Sequence, residues 1–88
     1  MFYSKSEEIA YSRLDGEICI FHPELGEYLN LNSTGSFIWE LIDKGQDESY
    51  LIEMAYKSFK GDKDSIKKDV IEFLNKGCEL KILNTSNV

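Results

Sequence analysis

The chain is short of the residues from which most catalytic and metal sites are built. It carries one histidine, two cysteines and one proline in 88 residues. His22 precedes Pro23 in an expected turn, has no evident acid or nucleophile as a partner, and reads as a surface turn residue. Cys19 and Cys78 stand far apart, with no CxxC and no histidine nearby, which excludes a recognisable metal motif or disulfide framework. Both are expected to serve as small buried apolar groups. Ser33 and Thr34 fall where a helix is expected to begin and read as caps, not nucleophiles. No apolar run approaches the roughly 20 residues of a membrane span. Residues 1–8 lack the basic-then-apolar layout of a signal peptide, so a cytoplasmic protein without membrane contact is expected. No cofactor or metal is expected. Eighty-eight residues make one domain with one modest core, too small to add an enclosed catalytic cavity of ordinary size. A binding module is therefore expected in place of an enzyme.

Positive charge is also scarce. The net charge is −6 and the isoelectric point near 4.7. Residues 1–50 hold three basic and ten acidic side chains, whereas residues 51–88 hold seven and six. Duplex binding usually leaves a basic stripe that neutralises phosphates, so nucleic acid is excluded as the expected partner. A winged-helix DNA-binding regulator stays as the alternative, with a local lysine group offset by Asp62, Asp64, Asp69 and Glu72.

What is present is strand pattern followed by helix pattern. Residues 9–14 and 17–22 are strand-like and joined by Asp15-Gly16, a dipeptide suited to the positive φ of a two-residue primed turn. Pro23-Glu24-Leu25-Gly26 supplies a second turn. A third strand follows over residues 27–31, with Leu29 and Leu31 on one face and Tyr28 and Asn30 on the other. Asn32 or Ser33 then caps a helix whose inner face is Phe37, Ile38, Leu41 and Ile42, stopped by Gly45. Trp39 falls off that stripe and is expected against the hairpin. A second helix spans about residues 48–59, with Leu51, Ile52, Ala55 and Phe59 inward. A third opens at Asp62 or Asp64, buries Ile66, Val70, Phe73 and Leu74, and is expected to close at Gly77. Residues 80–83 read as a short strand or wing, and residues 84–88 as a frayed end. The expected fold class is α+β: a winged helix-turn-helix with an N-terminal three-stranded antiparallel sheet, three helices and a short C-terminal strand.

The third helix has more apolar surface than its core requires. At about 100° per residue, Lys67, Ile71 and Cys78 flank the core stripe on one side and join Leu74 in a second row, while Ser65, Asp69, Glu72 and Lys76 make the other flank polar. The third strand contains no lysine or proline to blunt its edge, so an extended peptide could add to it as a further strand with side chains in the neighbouring cleft.

These pieces in this order resemble the PqqD-like family: residues 26–32 (Gly-Glu-Tyr-Leu-Asn-Leu-Asn), Thr34-Gly35, residues 38–42 (Ile-Trp-Glu-Leu-Ile), residues 69–74 (Asp-Val-Ile-Glu-Phe-Leu), and Gly77 before Leu80. The resemblance covers about residues 9–83 of a single domain spanning 1–88. It implies a free-standing, non-catalytic recognition element that binds the leader segment of a ribosomally made precursor peptide and presents it to a separate modifying enzyme. That enzyme would be a radical-type maturase or a leader protease, as in pyrroloquinoline quinone or lasso-peptide pathways. Carried onto this chain, the backbone of Glu27, Tyr28, Leu29, Asn30 and Leu31 would pair with the leader. Lys67, Ile71 and Leu74 would line the facing wall. Lys63 and Lys68, with Lys60 and Lys67, would attract an acidic leader.

Overall fold

Local pattern and long-range pairing both decide which segments of this chain become strands. The computed structural model describes residues 1–7, 9–42 and 45–86. Among them the elements run β1 (Phe2–Lys5), β2 (Ala10–Leu14), β3 (Glu17–His22), β4 (Glu27–Asn30), α1 (Ser33–Leu41), β5 (Gln46–Asp47), α2 (Glu48–Ser58), α3 (Lys63–Glu79) and β6 (Leu83–Ser86).

β2, β3 and β4 form the expected antiparallel meander. At its first turn Asp15 and Gly16 both take positive φ, 53° and 83°, as a primed turn requires. Alternation aims Ile18 and Ile20 of β3 into the core, where both are fully buried. Cys19 and Phe21 take the other face, and the Phe21 ring packs against Tyr28 at 5.1 Å between centroids. Ser36 ties the sheet to α1: its hydroxyl accepts from the Ile18 N–H at 3.0 Å and donates to the Leu31 carbonyl at 3.2 Å. The side chain thus satisfies two backbone groups at the end of the ladder.

A second sheet, in the order β5-β1-β6, was not expected. The polar residues Asn84, Thr85 and Ser86 are not a frayed end; they pair with Ser4, Tyr3 and Phe2. Residues 80–82 are not strand, and residues 87 and 88 lie outside the described residues. Backbone pairing makes β6 a strand where its side chains would not, and buried Tyr3 and Leu83 seal the pair against the helices. Burial also pushes the Tyr3 phenol above its ordinary pKa, with smaller contributions from Glu48 and Cys78.

α1 and α3 start at side-chain caps, whereas Asp47 before α2 makes no such bond. Asn32 accepts from the Gly35 N–H at 2.8 Å, and Asp62 from the Ser65 N–H at 3.1 Å. The first helix stops at Leu41, with Ile42 as its cap, short of Gly45. Trp39 is fully buried and meets Tyr11 of the hairpin edge-on at 5.3 Å, as its off-stripe position implied.

Gly77 does not close α3; it lies within the helix and is buried. A Cβ there would come within 2.5 Å of Leu83, so the residue is small because β6 crosses close to the helix. The helix ends at Glu79 instead, with Leu80 as its cap in a Schellman arrangement. The Ile82 N–H donates to the Gly77 carbonyl at 2.9 Å, and the Lys81 N–H to the Cys78 carbonyl at 3.1 Å. Lys81 takes the left-handed position, with φ 65°.

His22 is likewise not a surface residue. It is 5% exposed, its Nε2 lies 2.7 Å from the Leu80 carbonyl, and its Nδ1 accepts from the Leu25 N–H at 3.3 Å. The ring therefore staples the β3–β4 turn to the end of α3. Cys19 and Cys78 are free and only half-buried, and burial raises the Cys78 thiol above its ordinary pKa.

Candidate functional site

The site is built from one strand edge and one helix flank. Leu31 N–H donates to the Ile18 carbonyl at 2.9 Å, which makes Ile18–Leu31 a bonded position in the β3–β4 register. Bonded and non-bonded pairs alternate in an antiparallel ladder, so Ile20–Leu29 and His22–Glu27 are bonded as well. The main-chain groups of Tyr28 and Asn30 consequently point away from β3. β4 is the edge of its sheet, and among the described residues no backbone partner meets these groups.

Side-chain direction alternates with them. Leu29 and Leu31 turn toward the helices and are half-buried, while Tyr28, 70% exposed, and Asn30 turn outward. Between β4 and α3 lies a groove of about 470 Å³, lined by residues 28–32 on the strand side and by Asp69, Glu72, Phe73 and Lys76 on the helix side. Gly77, Leu80 and Ile82 complete it at one end. Phe73 is held close to the start of α1, where a Cβ at Gly35 would come within 3.1 Å of its ring. Strands in a sheet lie about 4.8 Å apart, so a chain paired to β4 would run along this groove with alternate side chains directed into it.

The structure brings Tyr28, Leu29, Asn30 and Leu31 to the groove; Glu27 begins the same strand but is not among its lining residues. It places the other expected residues elsewhere. Leu74 is 1% exposed and belongs to the core. Ile71 is half-buried and, with Lys67, occupies the flank of α3 opposite the groove. Lys67 lines a shallow depression beside α2 with Ser49, Ile52, Glu53 and Tyr56. Lys63 sets its Nζ 5.3 Å from the centre of the Tyr56 ring, and Lys68 is exposed away from the groove lining. The helix wall that faces β4 is the polar flank of Asp69, Glu72 and Lys76, with Phe73 at its base. Phe73 was the available sign, since its place on the core stripe lies on the Asp69 side of Val70.

The model of the family described as "Coenzyme PQQ synthesis protein D (PqqD)" matches residues 17–83. No curated protein sequence matches the chain. Two solved structures share its fold. TbiB1 in complex with the TbiA(beta) leader peptide superposes with a TM-score of 0.81 at 21% identity, covering 97% of this chain and 99% of that one. Lasso peptide synthetase B1 complexed with the leader peptide superposes with a TM-score of 0.78 at 16% identity, covering 94% and 98%.

Proposed function

The chain belongs to the PqqD family, and on that premise we propose that it is a non-catalytic recognition element that holds the leader segment of a ribosomally synthesised precursor peptide. It presents the peptide to a separate maturation enzyme, a radical-type maturase or a leader protease, in the cytoplasm. Residues 1–88 act as one recognition domain, and the three helices with the β1–β6 pair are read as its winged helix-turn-helix. The shared fold with two B1 proteins held in leader complexes favours a lasso-peptide pathway.

One observation carries the reading: an unpaired β4 edge opening onto an apolar-floored groove. Tyr28 and Asn30 each offer an N–H and a C=O, so a leader strand gains about four main-chain hydrogen bonds at about 1 kcal/mol net each. Micromolar affinity needs about 8 kcal/mol, so apolar anchors on Leu29, Leu31 and Phe73 must supply the rest. Glu27 opens the edge strand, with its own main-chain groups turned to His22 of β3. Lys63, Lys67 and Ile71, on the α2 side of α3, and Lys68, on its exposed face, are assigned to a second contact, with the modifying enzyme.

The experiment is a fluorescence anisotropy titration with a labelled leader from a precursor gene adjacent to this chain's own. Submicromolar binding lost on scrambling the leader is expected. Equal affinity for the scrambled peptide would overturn specific recognition.

A further inference from the structure

The groove's charge points to the kind of peptide it takes. Asp69 and Glu72 stand three residues apart on one flank of α3, which makes them neighbours on the helix surface, and both line the groove. Among the described residues no side chain forms an ion pair or hydrogen bond with either carboxylate. Lys76, the one cation of the lining, leaves the wall net negative. The lysines that could have drawn an acidic peptide face α2 or solvent, and Lys63 is already stacked on Tyr56. The whole chain adds to the same field, with a net charge of −6.

We propose that the groove selects a cationic segment: the bound strand directs a lysine or arginine side chain at Asp69 and Glu72, beside the apolar floor of Leu29, Leu31 and Phe73. The proposal rests on leader recognition at β4 and adds its chemistry. In an added strand, the side chains that enter the groove recur every second residue. An apolar residue seated on the floor therefore has its groove-facing neighbour two positions away, within reach of the acidic pair. A basic group there gains two exposed carboxylates at the groove wall, whereas an acidic one meets repulsion from both. Arginine should be the better of the two, because its planar fork can donate to two carboxylate oxygens at once.

The probe is the labelled leader of the adjacent precursor gene together with versions in which each lysine or arginine is singly changed to glutamate. These are titrated against the wild-type chain and the Asp69→Asn/Glu72→Gln double variant at about 50 and 300 mM NaCl. At one position, next to an apolar residue at spacing two, the change to glutamate is expected to weaken wild-type binding about five-fold or more at low salt. The double variant should respond to that change less than two-fold, with circular dichroism confirming its fold. Tight binding whose charge response is the same in both proteins would overturn the inference and leave leader recognition standing. Absence of binding by the unmodified leader would overturn leader recognition, and the inference with it.

Discussion

At the scale of single residues, His22 and Lys81 show how the β3–β4 turn and the end of α3 are locked together. The imidazole donates from Nε2 to the Leu80 carbonyl and accepts at Nδ1 from Leu25, so one ring joins two segments distant in sequence. Lys81 follows Leu80 and carries φ 65°. A residue with a Cβ pays for the left-handed conformation about 1 kcal/mol or more, and the position it occupies in a Schellman motif is one where glycine is usual. Lys81→Gly should therefore stabilise the chain by up to about 1 kcal/mol, part of the relief being offset by the freer unfolded chain. Urea unfolding followed by the fluorescence of Trp39, the single tryptophan and fully buried, measures this. A lower midpoint for the variant would show that the Lys81 side chain contributes more than its backbone costs.

At the scale of elements, the two flanks of α3 face different surroundings, the groove beside β4 and the α2 side. Phe73→Ala removes a groove anchor and should weaken leader binding about ten-fold or more, while Ile71→Ala, on the opposite flank, should change it less than two-fold. The check is anisotropy on both variants, with circular dichroism showing that each is folded. The reverse ranking would move the primary contact to the α2 side. Much of this was legible beforehand. The Asp-Gly turn, the alternation of β3 and β4, the Asn32 and Asp62 caps and the inward stripe of α3 are local signals, and each lies where its pattern indicated. The groove's strand wall was legible for the same reason. Its helix wall was not, because periodicity defines both flanks of α3 without saying which one the sheet will meet. That choice depends on how α1 and α2 pack, and it brought Asp69 and Glu72 forward in place of Lys67 and Ile71. β1 escaped notice, and the short C-terminal strand expected over residues 80–83 lies at Leu83–Ser86 instead, because their pairing is long-range and β6 is polar along most of its length. Gly77 was misread as a terminator because a glycine required by the close approach of Leu83 looks, in sequence, the same as one required by a positive φ.

At the scale of the whole molecule, the two sheets have different tasks. The β5-β1-β6 sheet brings the two ends of the chain together and braces α3 through Leu83. The β2-β3-β4 sheet ends in an edge that nothing in the described chain covers. With α3 braced from behind and His22 holding its end to the β3–β4 turn, the groove is set before any peptide arrives, which lowers the ordering cost of binding. The most direct test is residue-resolved amide hydrogen exchange by NMR, with and without the leader peptide. Strand addition predicts that the Tyr28 and Asn30 amides, which have no partner among the described residues, gain strong protection on binding, while those of Leu29 and Leu31, already bonded to β3, change little. Unaltered exchange at Tyr28 and Asn30 under saturating leader would contradict the account.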